Sequence, residues 1–285
     1  TTVVRSLLAA RKKNPRPMAS NRVNSRVEPV EAMVLGWPPG PGQRGPFCGL
    51  PPWGVCRNRV LTQAPASSNL PAPARFAVFD GDLDAEWAAL YAGARALAID
   101  TEAMGLIHGR DRLCLVQICD DHDNVCCIRL QRGQSEAPRL KALMENSAIE
   151  KVFHFARFDV AALAENLGIS VDPIFCTKIG SRLARTYSPK HGLKEVVQEL
   201  VGIELDKQAQ SSDWGRVEDL SDAQLAYAAG DVRYLLPARD RLELMLKRED
   251  RWDLAVRCFG CVPVMADLDR QRFHLLFEHS SGGNR

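Results

Sequence analysis

Asp100 and Glu102 lie two residues apart at the end of the apolar run Ala96-Leu97-Ala98-Ile99. On a β-strand, residues two apart face the same side, so both carboxylates can point at one spot. Two anions that close repel, and each tends to keep a proton unless a cation lies between them. A hard divalent ion that prefers oxygen ligands, Mg²⁺ or Mn²⁺, resolves the conflict. Taken alone, a solvated Asp-x-Glu pair accounts for the segment equally well. A second acid, Asp159, follows His154-Phe155-Ala156-Arg157-Phe158, where a strand runs into a helix. In a first helical turn it can serve chemistry or simply complement the helix dipole. Tyr227 and Asp231 are four residues apart with small Ala228-Ala229-Gly230 between them. On a helix that spacing puts both on one face, about 5–6 Å apart at Cβ, so a phenol and a carboxylate can share a pocket. A core tyrosine beside a solvated aspartate fits the same spacing.

The elements that must position these groups are legible from Arg75 onward. Phe76–Phe79, Ala96–Ile99, Leu113–Cys119, Asn124–Ile128 and Lys151–His154 read as strands, with a turn at Asp120–Asp123. Helical spacing covers about 83–93, 138–146, 158–167, 177–185, 193–200 and 221–247. Gly168 stops the third of these segments, Ser221 with Gln224 forms a capping box, and Pro237 is expected to kink or interrupt the last. Strands first and helices later predict an α/β fold, a mixed sheet flanked by helices with a helical C-terminal part. Cys258–Phe273 is expected to pack back as a helical tail.

Residues 1–74 differ in kind. They carry 12 of the 17 prolines, ten Lys/Arg and only two acids, Glu28 and Glu31. The remaining 211 residues hold 27 basic and 33 acidic side chains. Weak hydrophobic periodicity gives the first segment too little apolar surface to offset chain ordering, so it reads as a basic, proline-rich, disordered extension. Its charge would attract nucleic acid without sequence preference. An Arg-rich, acid-poor start also fits an organelle transit peptide. Nine cysteines, an odd number and several of them inside apolar strands, read as reduced buried thiols. Cys258-x-x-Cys261 has no second pair of ligands at zinc spacing. No run of 18 apolar residues is present, so no membrane span is expected, and a reducing cytoplasmic compartment fits best.

The order Asp-x-Glu, then Phe-Asp, then Tyr-x-x-x-Asp resembles the DEDD exonuclease superfamily in its tyrosine branch. The histidine branch would require a histidine at position 226, which is Ala226. The stretches Arg112–Ile118, Val152–Asp159, Ser212–Trp214, Leu225–Leu236 and His191–Lys194 leading into Val201–Leu205 look like ribonuclease D. The resemblance covers about residues 76–280. It implies a ribonuclease-H-like mixed sheet, an exonuclease domain over 75–285, and removal of nucleotides from RNA 3′ ends by two divalent metals. Carried onto this chain, Asp100 would bridge both metals, with Glu102 and Asp231 completing the first shell. Asp159 would support the second metal and Tyr227 would orient the attacking water. Thr101, Met104, Leu106, His154 and Phe158 are expected to contact substrate, Leu106 by wedging against the terminal base. His154 equally suits a backbone hydrogen bond, and Trp214 either a stacked base or the core. The implied partner is RNA with a free, single-stranded 3′ end, as in processing of tRNA or other structured RNA, and no stable protein partner is implied. Only about 35 residues follow the last long helix, too few for the helical nucleic-acid-binding domains of larger ribonuclease D proteins. The same chemistry on DNA and a catalytically silent nucleic-acid-binding protein are the alternatives.

Overall fold

The computed structural model describes residues 59–60, 72–205 and 212–278. The strands are β1 (Arg59–Val60), β2 (Arg75–Asp80), β3 (Ala96–Ala103), β4 (Leu113–Cys119), β5 (Asn124–Arg129), β6 (Glu150–Phe153) and β7 (Ile174–Cys176). They form one sheet in the order β1-β2-β5-β4-β3-β6-β7. The pairs β2–β5, β3–β6 and β6–β7 are parallel, and β1–β2, β3–β4 and β4–β5 are antiparallel. This is the mixed sheet expected from the sequence. The disordered reading of residues 1–74 falls outside the described residues except at 59–60 and 72–74, and Arg59–Val60 forms the edge strand.

Every residue of β4 is buried, because helices cover both faces of the sheet. Central strands buried on both sides read as continuous apolar runs rather than alternating ones, as Leu113–Cys119 does. The helices are α1 (Ala85–Ala92), α2 (Pro138–Met144), α3 (Ala156–Leu167), α4 (Thr177–Ala184), α5 (Leu193–Val201), α6 (Asp222–Arg233), α7 (Leu235–Arg248), α8 (Trp252–Gly260) and α9 (Val262–Arg270). The tail expected over 258–273 is helical in α8 and α9, and α9 packs back on α3. Among the described helices, none is long and apolar enough to cross a membrane.

Three differences from the sequence reading have simple causes. β3 runs on to Ala103, so Asp100 and Glu102 lie within the strand rather than just past it. The predicted helix 221–247 is two helices, broken at Tyr234 rather than at Pro237. Pro237 sits in the first turn of α7, where a missing N–H costs no hydrogen bond. The three-residue strand β7 is too short to announce itself by periodicity. Five cysteines, Cys114, Cys119, Cys126, Cys127 and Cys176, are buried and free, whereas Cys261 is exposed.

Arg239 ties the helical half to the sheet. Its guanidinium donates to Glu150 of β6 at 2.6 and 3.2 Å, to Asp240 at 3.0 Å and to Glu243, and it lies over the Phe175 ring at 5.2 Å. The side chain is only 10% exposed. Breaking such a group by removing one partner strands the others and costs on the order of 3 kcal/mol. Arg239→Met is therefore expected to lower the thermal midpoint by at least about 5 °C, measured by calorimetry. An unchanged midpoint would show that the network contributes nothing.

Candidate active site

Side chains alternate along β3, so Asp100 and Glu102 share one face while Thr101 turns to the other. The first face meets α6, which packs across β3, β4 and β5. Both ends of α6 are fixed. At the start, Gln224 N donates to Ser221 Oγ (3.3 Å) and Ser221 N donates to Gln224 Oε1 (3.0 Å), the capping box expected from the sequence. At the end, Arg233 forks onto both carboxylate oxygens of Asp123, in the β4–β5 turn, at 2.7 and 2.6 Å. Helix register and position are thereby set, and Asp231 arrives opposite the end of β3. One carboxylate oxygen from each of Asp100, Glu102 and Asp231 lies within 4.8 Å of the other two. The Tyr227 hydroxyl hydrogen-bonds the Asp231 carboxylate, and its ring packs beside Trp214 at 6.3 Å.

Asp159 approaches from α3. It is buried in the first turn of that helix, and its Oδ1 accepts a 2.6 Å hydrogen bond from the Thr101 hydroxyl. The chain enters α3 through Phe155 at φ +73°, a left-handed conformation that costs a non-glycine residue of order 1 kcal/mol or more. That turn swings the helix N-terminus over the C-terminal edge of β3 and β6. It also leaves the Phe155 ring exposed beneath the Lys178 ammonium, 4.4 Å away.

The acids are electrostatically frustrated. Burial, then the charges of Asp159, Asp231 and Glu102, push the Asp100 carboxyl well above the usual carboxylate range. Burial and the charges of Asp231 and Asp159 push Glu102 up to about 8. Burial raises Asp159 to about 7, opposed by the Thr101 hydrogen bond. The same burial, followed by the Asp231 charge, holds the Tyr227 phenol far above its ordinary value.

The cluster opens into a cleft of about 690 Å³. All five residues expected to touch substrate line it: Thr101, Met104, Leu106, His154 and Phe158. His154 Nδ1 is 2.9 Å from Thr177 Oγ1, so the structural partner considered from the sequence is present as a side chain. Burial pushes the His154 ring down to about 3, leaving it neutral at physiological pH. The far wall includes Lys178, Leu193, Lys194, Leu205, Ser212 and Trp214. Among the basic side chains nearby, Lys178 and Lys194 reach the cleft. Arg157 and Arg185 are instead committed to Asp269 and Glu199.

The model of the 3′-5′ exonuclease family matches residues 76–247. The chain belongs to that family. Among curated relatives, ribonuclease D of Sphingobium indicum is 31% identical over 176 residues, which is 62% of this chain and 45% of that protein. The chain thus spans less than half the length of that relative. Among solved structures, NrnC of Brucella melitensis bound to pGG is 41% identical with a TM-score of 0.66, covering 74% of this chain and 98% of that one. The same protein with bound Mg²⁺ is 40% identical with a TM-score of 0.65, again over 74% and 98%. Ribonuclease D of Escherichia coli shares the ribonuclease-H-like fold at a TM-score of 0.56 and 23% identity, over 64% of this chain and 47% of that one.

The donor set is three gathered carboxylates, with no sulfur or imidazole among them. Oxygen-only donors suit a hard divalent cation. Cys258 and Cys261 gather no third potential ligand among the described residues. What the sequence left out is chiefly Leu193, Leu205 and Ser212, apolar or small residues with no chemical signature of their own.

Raised carboxylates carry a stability consequence. Unfolded, these groups ionise near their ordinary values of about 4. Folded, Glu102 and Asp159 ionise only at about 8 and about 7. Their protonation therefore favours the folded state below the unfolded values, and the advantage is lost as pH rises through the folded ones. In chelator, the thermal midpoint is expected to fall between pH 6 and pH 9, with Mg²⁺ restoring most at the alkaline end. A midpoint in chelator that stays level over that range would contradict this picture of the cluster.

Proposed function

We propose that this chain is a metal-dependent exoribonuclease that hydrolyses phosphodiester bonds from RNA 3′ ends. The convergence of Asp100, Glu102 and Asp231 within 4.8 Å carries the reading. In this reading Asp100, Glu102 and Asp231 would hold one Mg²⁺ or Mn²⁺, and Asp159 with Asp100 would support a second. Such ions supply a water of lowered pKa and stabilise charge on the leaving 3′ oxygen. The protein's own groups do the positioning. Thr101 orients Asp159. Tyr227 stays protonated, so it orients the attacking water instead of removing its proton. Four carboxylates balance the charge of two divalent ions, leaving a neutral site for an anionic substrate.

The relatives support RNA as substrate. On the strength of the ribonuclease D relatives, the reading extends to the 3′ ends of tRNA or other structured RNA, single-stranded at the terminus. The complex of NrnC with pGG favours a second reading, in which very short oligonucleotides are the preferred substrate. Free buried thiols fit a cytoplasmic setting.

The test uses RNA labelled at either end, with Mg²⁺, Mn²⁺ or EDTA. The expected result is laddering from the 3′ end that EDTA abolishes. Internal cuts, or trimming that persists in EDTA, would end the proposal. Side-by-side rates on a tRNA precursor, pGG and a DNA oligonucleotide of matched sequence rank the substrates. Faster removal of deoxynucleotides would shift the reading to a DNA exonuclease.

A further inference from the structure

The β3–β4 connection, residues 104–112, forms one lip of the cleft and carries large apolar side chains in the open. Met104 is 59% exposed and Leu106 79% exposed, and both line the cleft beside the carboxylates. Exposed apolar groups beside the carboxylates suit an apolar part of whatever binds there. On a nucleotide chain, that part is the face of a base.

A solvent-exposed loop holds such groups usefully only if its backbone is fixed. Here a backbone turn, with Asp111 N donating to Ile107 O at 2.8 Å, is tightened by one carboxylate. Asp111 Oδ2 accepts the Ile107 N–H at 3.0 Å, across the loop. Arg110 forks onto the same carboxylate at 2.7 and 2.8 Å. Arg110 and the Ile107 N–H hold the Asp111 carboxyl down at about 2, so it is charged throughout the working range. Gly105 lets the loop fold onto it: a Cβ at that position would stand 2.3 Å from Asp111 Oδ2. The base of the loop is anchored too. Met104 N donates to Arg112 O at 3.1 Å, and Arg112 donates to the carbonyls of Leu130 (2.9 Å) and Gly215 (2.7 Å). Gly215 follows Trp214, on the facing wall.

We propose that Asp111 is a positioning residue that braces the 104–112 loop, so that Met104 and Leu106 contact the base of the nucleotide bound beside the carboxylate cluster. This rests on the nuclease reading above and specifies how that site recognises its substrate. Asp111 touches neither the acids nor the reacting phosphate. Its loss therefore loosens the grip on the base and leaves the chemical step alone.

The test compares Asp111→Ala, Asp111→Asn and wild type on two short RNAs, identical except that one ends in an abasic 3′ nucleotide. On the base-bearing RNA, Asp111→Ala is expected to raise KM about 10-fold with kcat within about twofold. Asp111→Asn keeps an acceptor for Ile107 and its contact with Gly105, and is expected to recover most of the loss. On the abasic RNA, wild type and Asp111→Ala should differ by less than about twofold. An equal loss on both RNAs, or no loss on either, overturns the proposal. Fluorescence anisotropy in Ca²⁺ repeats the comparison without turnover, and Mg²⁺ titration calorimetry confirms that the variants keep the metal site. If wild type trims neither RNA, the exoribonuclease reading fails on its own. The anisotropy preference for a terminal base, lost in Asp111→Ala or retained, still decides the role of Asp111.

Discussion

Asp100→Asn is expected to lower kcat by about 1,000-fold or more, the scale of losing a group that stabilises transition-state charge. Asparagine has nearly the shape of aspartate but no charge. Asp100 is the acid on which burial and all three other carboxylates act, with Asp159, Asp231 and Glu102 each raising its carboxyl. It is therefore the group whose negative charge is least tolerable without a cation and most effective at holding one. Removing that charge also relieves repulsion in the empty cluster. The same variant should melt at or above the wild-type temperature in chelator at pH 8 and should lose most of the Mg²⁺-induced rise. Loss of activity with gained stability separates a metal-ligand role from misfolding. Steady-state kinetics and calorimetry read both halves, and near-wild-type turnover by purified Asp100→Asn would remove Asp100 from the mechanism.

Tyr227→Phe is expected to cost about 100-fold in kcat, at the lower end for a group acting on a proton or a water in the transition state. KM and Mg²⁺ affinity should change little. The substitution deletes the hydroxyl that bonds Asp231 and keeps the ring that packs beside Trp214. The pH dependence distinguishes positioning from base catalysis. Burial and the Asp231 charge keep the phenol protonated far past its ordinary value, so it does not titrate in the working range. The variant's rate should lie below wild type by a constant factor at every pH from 6 to 10. A factor that widens with pH would mean that an ionised phenol does chemistry in wild type.

The fold was legible wherever one physical pattern dominated a segment. Leu113–Cys119 reads as a buried strand because helices cover both of its faces. Ser221 and Gln224 read as a cap because each completes the other's hydrogen bond locally. Pro237 was legible as a disruption but misplaced, since a proline falls on the first turn of the new helix rather than at the break. β7 escaped notice because three residues carry no measurable period.

For the site, the order of residues along the chain says which groups exist and which neighbours share a face. Asp100 with Glu102 on a strand, and Tyr227 with Asp231 on a helix, are pairings of local geometry, and local geometry follows from the backbone period. Only the tertiary structure decided that the two pairs meet. That meeting depends on the capping box and the Arg233–Asp123 fork at the ends of α6, and the second of these joins residues 110 positions apart. It also decided that Thr101 grips Asp159, that Arg157 and Arg185 are committed to structural acids, and that Asp111 underlies the lip of the cleft. These are long-range or conformation-specific contacts, set by packing and by a strained turn at Phe155, and no spacing along the chain encodes them.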